Sequence, residues 1–248
     1  MFELFYFPTP NCKKVTILLE ECSLPYTITP VRINKGDQFA PDFLKISPNN
    51  RIPALVDHEP TGGGEPVALF ESGAIMMYLA EKVGKFWPQK PREKYAVVKW
   101  VLWQAANQGP KMGEQNHFHG AADNEKNGDQ SYAIKRFDNE VHRLFGVINL
   151  GLFGREWLAG DEYTIADMAS YPWASLWELR GNDITDFPKV QEWMQRISDR
   201  PAVKKAMALG ISTNEEAGEI SQEERERRAK ILSNQRAIPI PSQWYETA

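Results

Sequence analysis

The sequence is poor in the features that mark secreted and membrane-spanning proteins. It has only two cysteines among 248 residues, Cys12 and Cys22, and they lie ten positions apart in one predicted helix. That separation is too long for easy disulfide formation. No apolar run approaches the roughly 18 residues that a membrane-spanning helix needs, and no basic segment followed by an apolar one precedes the first strand. We therefore expect a protein of the reducing cytoplasm, with no membrane partner.

An excess of one charge is lacking as well. The chain has 29 Lys and Arg against 33 Asp and Glu, a formal net charge of −4. No segment carries the dense basic stripe of a nucleic-acid-binding protein, so we expect no nucleic-acid partner. Only four histidines are present, and His117 and His119 stand two apart without another His or Cys nearby. This is a weak metal signal. We expect no metal there, and instead a loop or helix end that borders a substrate cleft.

What the chain does contain is enough apolar surface for two domains of ordinary size. Hydrophobic residues make up 42% of the sequence, and eight are tryptophans. Strand and helix patterns alternate over residues 1–83 in the order β-α-β-α-β-β-α, with a hairpin at the end. Residues 92–210 are helical in pattern, and Thr164 and Asp167 mark one helix start within them. Residues 211–248 differ, with a charged helix and then a Pro-rich tail.

The predicted strands are Glu3–Phe7, Tyr26–Arg32, Ala54–Asp57 and Val67–Phe70, and the predicted helices of the first domain begin at Asn11, Pro41 and Ser72.

The turn between the first strand and the first helix is the most informative segment. Thr9 and Asn11 place neutral hydrogen-bond donors near a helix N-terminus, and such donors stabilise a thiolate that a ligand brings. Cys12 stands beside them and precedes two lysines, a setting that lowers the pKa of a thiol. Cys12 is therefore either a reactive thiol or a small side chain that packs the first helix.

Two further motifs suit a peptide ligand. Ile52-Pro53 starts the third strand. If that bond is cis, the backbone groups of Ile52 can pair with an extended peptide, whereas a trans bond makes it a plain strand start. Ser72 is a predicted N-cap for the third helix, where free N–H groups bind a carboxylate, and Glu71 can pair with an ammonium group. The alternative is an ordinary cap beside a solvated acid.

Together with the domain order, these motifs resemble the glutathione transferase family. The resemblance covers residues 1 to about 210. Thr9-Pro10-Asn11 and Ile46–Pro53 are similar to the nu class, which includes bacterial glutathione-dependent disulfide-bond oxidoreductases. The resemblance implies a thioredoxin-like α/β N-terminal domain packed on an all-α C-terminal domain. It also implies a homodimer, since the sites of this family lie beside the dimer interface.

The resemblance assigns a role to each candidate residue. Thr9 and Asn11 would hydrogen-bond the sulfur of bound glutathione. The remaining contacts that it implies are Gln38 to the glycyl or backbone portion, Ile52 and Pro53 to the cysteinyl portion, Glu71 and Ser72 to the γ-glutamyl end, and Arg136 to glutathione from its own or the partner subunit.

Three functions compete at this stage. The leading one is reduction of small disulfides by the thiolate of bound glutathione, with one or two glutathiones or glutathione disulfide in the site and no need for a protein cysteine. The second is conjugation of glutathione to apolar electrophiles, or cleavage of thioether or aryl-ether bonds, with residues 103–118 and Tyr171–Trp177 lining the second pocket. The third is a non-catalytic interaction protein of the same fold. The full set of predicted glutathione contacts argues against the third.

Overall fold

A four-stranded mixed sheet forms the centre of the N-terminal domain. The computed structural model describes residues 1–122 and 127–210, together with Ser221, Glu223, Arg227, Arg228, Lys230 and Ile231. Strand order is β2-β1-β3-β4, with β1 and β2 parallel and the other two pairs antiparallel. The elements are β1 (Phe2–Tyr6), α1 (Pro10–Glu21), β2 (Tyr26–Pro30), α2 (Pro41–Ile46), β3 (Ala54–Asp57), β4 (Val67–Phe70) and α3 (Ser72–Val83). The predicted thioredoxin-like domain is confirmed. A short 3-10 turn, Asp37–Phe39, lies in a stretch predicted as loop.

Helix α1 is buried on nearly every side. Helix α3 packs against it within its own domain, and two helices of the second domain, Ile165–Ala174 and Pro201–Ala208, pack against it as well. Its apolar residues Val15, Leu18 and Leu19 are therefore inaccessible, and so are Lys13 and Lys14, at 7% and 2% exposed. Thr9 begins the helix as its N-cap, and proline fills the first helical position, where its missing N–H costs nothing.

The second domain is all-helical, as predicted. Its elements are α4 (Pro91–Trp103), α5 (Gly109–Ala122), α6 (Ser131–Gly151), α7 (Ile165–Ala174), α8 (Pro188–Ser198) and α9 (Pro201–Ala208). A π-helical turn, Gln104–Gln108, joins α4 to α5. Every residue of α7 is buried, so this helix forms the centre of the domain. Within the described ranges, no helix is both long and apolar enough to cross a membrane.

The predicted helix start at Thr164 is present. The Thr164 side chain accepts from the backbone N–H of Ala166, and Asp167 accepts from the backbone N–H of Thr164 at 3.0 Å. The other oxygen of Asp167 accepts from the backbone of Leu158 and from the indole of Trp193, both at 2.9 Å. One carboxylate thus joins the preceding loop, α7 and α8.

The two domains meet along α1 and α9. Lys13 Nζ donates to the carbonyls of Ala206 and Met207 at 2.9 and 3.0 Å, which satisfies the C-terminal end of α9. Tyr6 donates to the carbonyl of Leu209 at 2.8 Å. The extension predicted over residues 211–248 lies almost wholly outside the described residues.

Candidate functional site

A cleft of about 300 Å³ opens at the start of α1, between the two domains. It brings together four of the residues singled out in the sequence, namely Thr9, Asn11, Gln38 and Ile52, and the helical domain contributes Trp173 from α7. The other lining residues are Pro10, Ile33, Asn50 and Arg51. The cleft is thus walled by both domains, although most of its polar groups come from the first.

Thr9 and Asn11 each have one polar atom in use. Thr9 Oγ1 accepts from the backbone N–H of Cys12 at 3.4 Å, which leaves its hydroxyl hydrogen to donate. Asn11 Oδ1 accepts from Trp173 Nε1 at 2.8 Å, which leaves the Nδ2 amide group as a donor. Two neutral donors therefore remain at the mouth of α1, next to the positive end of its helix dipole.

Cys12 does not face the cleft. Its side chain is fully buried, and burial raises the pKa of its thiol to about 11 despite hydrogen bonds that favour the thiolate. The lysines expected to activate it are engaged elsewhere, Lys13 with the end of α9 and Lys14 with Ser72. Cys22 is buried too, with its pKa likewise raised to about 11 by burial. This geometry favours the packing interpretation of Cys12 over the reactive one.

The start of α3 differs from the sequence prediction. Ser72 is the first helical residue rather than the N-cap; Glu71 occupies the cap position and makes no side-chain capping bond. The Glu71 backbone has a φ of 68°, a left-handed conformation that is uncommon for a non-glycine residue and is concentrated at functional sites. Its exposed carboxylate accepts from Asn49 Nδ2 at 3.3 Å. Backbone strain, which a residue pattern does not encode, explains the shift of the cap.

Lys14 of α1 contacts the start of α3, and the sequence analysis did not predict this contact. Its Nζ donates to Ser72 Oγ at 3.2 Å and to the Oε1 atom of Gln104, which the π-helical turn directs toward it. Burial lowers the pKa of Lys14 to about 7, and the Glu71 carboxylate and Cys12 oppose that shift. The sequence did contain a signal for a special role of Lys14, because this lysine lies four residues before Leu18 on an otherwise apolar helix face.

The middle of the cleft contains Gln38 and Ile52. Gln38 is 2% exposed rather than a surface residue, and its Nε2 donates to the carbonyl of Ile33 at 3.1 Å. Its Oε1 is buried and has no hydrogen-bond partner among the described residues. The Ile52-Pro53 bond is cis, which settles the alternative left open by the sequence.

Arg136 is not brought to the cleft within one protomer. It lies on α6 in a separate basic groove of about 800 Å³, lined also by Lys111, Lys135 and Arg143. If it contacts the cleft ligand, it must do so from a second copy of the chain.

Of the two segments expected to line a second pocket, Tyr171–Trp177 contributes Trp173 to the cleft, whereas residues 103–118 are not among its lining residues. His119 lies within α5, pairs with Asp138 at 2.8 Å and borders a different, polar hollow. Over the residues that are described, no group of three or more His, Cys, Asp or Glu side chains is placed to hold a metal ion.

Comparison with known proteins identifies the family. The profiles of the glutathione S-transferase N-terminal and C-terminal domains match residues 9–82 and 115–201. Disulfide-bond oxidoreductase YfcG of Escherichia coli K12 is 46% identical over 207 residues, which cover 84% of this chain and 94% of that protein. The chain belongs to the glutathione S-transferase family. A second member from the same bacterium, disulfide-bond oxidoreductase YghU, is 37% identical over 238 residues, covering 91% of this chain and 79% of YghU.

Solved structures of family members include ligand complexes. A glutathione transferase family member from Pseudomonas fluorescens pf-5, with two glutathiones bound, matches with a TM-score of 0.75 and 39% identity over 83% of this chain and 92% of that one. A glutathione transferase from Pseudomonas putida, with one glutathione disulfide per subunit, matches with a TM-score of 0.76 and 38% identity over 84% and 91%. The glutathione S-transferase fold of this chain is thus shared with proteins that bind two glutathiones or one glutathione disulfide.

Proposed function

We propose that this glutathione S-transferase is a nu-class enzyme that reduces small disulfides with the thiolate of bound glutathione. The observation that carries the proposal is a pair of donors, the Thr9 hydroxyl and the Asn11 amide, which have no acceptor among the described residues and lie in a cleft that neither protein cysteine reaches. A site that stabilises a thiolate but presents no thiol of its own needs a ligand that brings the sulfur. Relatives named disulfide-bond oxidoreductases, and family structures with two glutathiones or glutathione disulfide, support this choice.

The cleft and the start of α3, which lies beside it without lining it, together offer complementary groups along the length of glutathione. The γ-glutamyl carboxylate fits the start of α3 at Ser72, with the Lys14 cation behind it, and the ammonium group fits Glu71. The cysteinyl backbone lies along Ile52 and Pro53. Gln38, which lines the cleft, is the proposed contact for the remaining peptide. This order places the sulfur beside Thr9 and Asn11.

The chemistry then proceeds in two exchanges. A free thiol has a pKa of roughly 8.5, and two aimed donors lower it. The glutathione thiolate attacks one sulfur of the substrate disulfide, which forms a mixed disulfide and releases one substrate thiolate, which takes up a proton. A second glutathione thiolate attacks the glutathionyl sulfur of that mixed disulfide. The products are glutathione disulfide and the second substrate thiol.

We also propose that the enzyme is a homodimer of the reducing cytoplasm, where reduced glutathione is available. The dimer is the arrangement by which Arg136, remote from the cleft of its own protomer, would approach glutathione as a charge for a carboxylate.

Removing both cysteines tests the proposal directly. The Cys12→Ala/Cys22→Ala variant is expected to keep most of the wild-type kcat/KM for 2-hydroxyethyl disulfide, because both thiols are buried and protonated at neutral pH. Turnover is measured with reduced glutathione by coupling to NADPH oxidation through glutathione reductase. Loss of turnover in a variant that melts like the single Cys22→Ala control would assign the chemistry to Cys12.

The transferase alternative uses the same glutathione contacts, and the apolar walls of the cleft at Ile33, Ile52 and Trp173 are compatible with an apolar electrophile. Conjugation of 1-chloro-2,4-dinitrobenzene, assayed on the same preparation, decides between the two. A kcat/KM for the aryl chloride above that for the disulfide favours conjugation. If the protein binds glutathione but neither reduces the disulfide nor conjugates the aryl chloride, the non-catalytic interpretation is favoured.

The role of Lys14 predicts a pH dependence of binding. A bound carboxylate favours protonated Lys14, so the complex takes up a proton, and affinity should fall as pH rises through about 7. If the carboxylate raises the pKa of Lys14 by about one unit, the fall approaches tenfold. Calorimetric titration with S-methylglutathione between pH 6 and 8.5 measures it without interference from the ligand thiol.

The matched control for Lys14→Met is Lys13→Met. The first variant should bind S-methylglutathione more weakly and with a flat pH profile. The second removes an adjacent buried amine that contacts α9 instead of Ser72, and should keep the wild-type slope. A wild-type slope in Lys14→Met would remove Lys14 from the carboxylate site.

A further inference from the structure

The all-α domain reaches into the sulfur end of the cleft through one side chain. Trp173 of α7 donates its indole N–H to Asn11 Oδ1 at 2.8 Å, across 162 positions of sequence. An indole nitrogen can only donate, whereas an asparagine side chain has an accepting oxygen and a donating nitrogen. Of the two ends of the Asn11 amide, only the oxygen can therefore pair with Trp173. The hydrogen bond therefore leaves the nitrogen of the Asn11 amide available to donate elsewhere.

Trp173 itself has little freedom to move. It is 9% exposed, and the guanidinium of Arg180 lies over its ring, 5.0 Å from the centroid. Arg180 is in turn held by a hydrogen bond to the carbonyl of Met112 at 2.9 Å. On the α5 side, the edge of the ring lies beside Gly109 and Gly113, where an added Cβ would stand in ordinary van der Waals contact with it, at 3.6 and 3.7 Å. The indole N–H is thus a fixed donor.

The orientation of the Asn11 amide matters because its two ends have opposite effects on a thiolate. The NH2 end stabilises the anion, whereas the oxygen end repels it. Thr9 does not restrain this choice, because its hydroxyl oxygen accepts from the backbone N–H of Cys12 and the Thr9 side chain makes no hydrogen bond to the Asn11 amide. Without an external donor, the amide could rotate between both orientations.

We propose that Trp173 is a positioning residue, whose indole N–H holds the Asn11 amide with its nitrogen toward the cleft so that it donates to the glutathione sulfur. The inference rests on the proposed function for the identity of the ligand. It deepens that function by giving the C-terminal domain a direct role in the sulfur environment, beyond covering the cleft.

Trp173→Phe tests the proposal, because it keeps an aromatic ring and removes the N–H. The ultraviolet absorbance of the bound glutathione thiolate, followed against pH, gives the pKa of the bound thiol. We expect that pKa to rise by about one unit, with a fall in kcat of about tenfold near neutral pH. The Kd of S-methylglutathione, which has no thiolate, should stay near wild type. If Trp173 had only a structural role, its replacement would weaken the binding of glutathione and of S-methylglutathione to the same extent.

Two further variants separate orientation from packing. In the Asn11→Ala background, Trp173→Phe should cause no additional rise in thiol pKa, because no amide remains to orient. Benzothienylalanine at position 173 keeps the full two-ring shape without the donor, and should reproduce the Trp173→Phe effect even if the phenyl ring packs poorly. Trp157→Phe, which alters a tryptophan that packs against Tyr163 and does not line the cleft, should behave as wild type.

The proposal is overturned by an unchanged thiol pKa in Trp173→Phe and in the benzothienyl variant. An equal effect of Trp173→Phe with and without Asn11 would overturn it as well. The thiol pKa needs only glutathione binding and no disulfide turnover. If the wild type fails to reduce disulfides, the proposed function fails, while the titration still tests the role of Trp173.

Discussion

Asn11→Ala is expected to lower the kcat for disulfide reduction by about 10- to 100-fold, the range for one hydrogen bond to a charged group. The amide is a donor that the structure leaves free at the start of α1, and its loss raises the pKa of the bound thiol. The KM for glutathione should change much less, because the contacts proposed at Gln38, Ile52 and Ser72 remain. Steady-state kinetics and thiolate absorbance measure the two effects separately.

Asn11→Asp sharpens this experiment. The aspartate keeps the size of Asn11 and can still accept from Trp173, but it presents a second anionic oxygen to the sulfur instead of a donor. Turnover should therefore fall at least as far as in Asn11→Ala. Asn116→Ala, on the exposed face of α5 beside a different hollow, is the matched control and should be unchanged. Wild-type kcat in Asn11→Ala would transfer the thiolate role to Thr9 alone.

Local patterns predicted the fold well where proline and glycine mark the ends of elements. The start of α2 and the bounds of β3 and β4 agree with the predicted ones, while β2 ends two residues earlier than predicted, at Pro30. The turn at Thr9 and the Glu71-Ser72 motif were visible for the same reason: their residue types act within a few positions of one another.

The parts of the site that sequence reasoning missed arise from packing between distant elements. Lys14 contacts Gln104 across 90 positions, and Asn11 contacts Trp173 across 162. A helical pattern reports which face of α1 is apolar, but not that a second domain covers the other faces. For that reason Lys14 was interpreted through its neighbour Cys12, and Trp173 only as part of a segment that lines a second pocket.

Cys12 is a second case in which local sequence does not report how distant elements pack. Proximity to a helix start and to lysines predicts an activated thiol only if the side chain is accessible. Complete burial reverses the sign of the pKa shift. Burial at this position depends on the packing of α1 against both domains. The residues of the turn between β1 and α1 do not encode that packing.

Asp167→Ala should strongly destabilise the folded protein. The buried carboxylate of Asp167 accepts from Leu158, Thr164 and Trp193, so alanine would leave three donors inside the protein without partners. At about 1–3 kcal/mol for each unsatisfied group, partly offset by relaxation, we expect a loss of about 4 kcal/mol in the free energy of unfolding. Urea unfolding followed by tryptophan fluorescence measures it. Asp161→Ala, an exposed aspartate just before the same helix, should cost under about 0.5 kcal/mol.

The pH dependence of stability supplies a second test at Asp167. Burial raises the pKa of this carboxyl from 3.8 to about 6, although its hydrogen bonds oppose the shift. The native state therefore binds a proton more tightly than the unfolded chain, and this contribution to stability is lost as pH rises from about 4 to 6. Asp167→Asn keeps an acceptor for Leu158 and Trp193 but cannot ionise, so its stability should lack that decline. If the stability difference between wild type and Asp167→Asn does not change over this window, the carboxyl titrates at its ordinary pKa, and the three hydrogen bonds outweigh the cost of burying the charge.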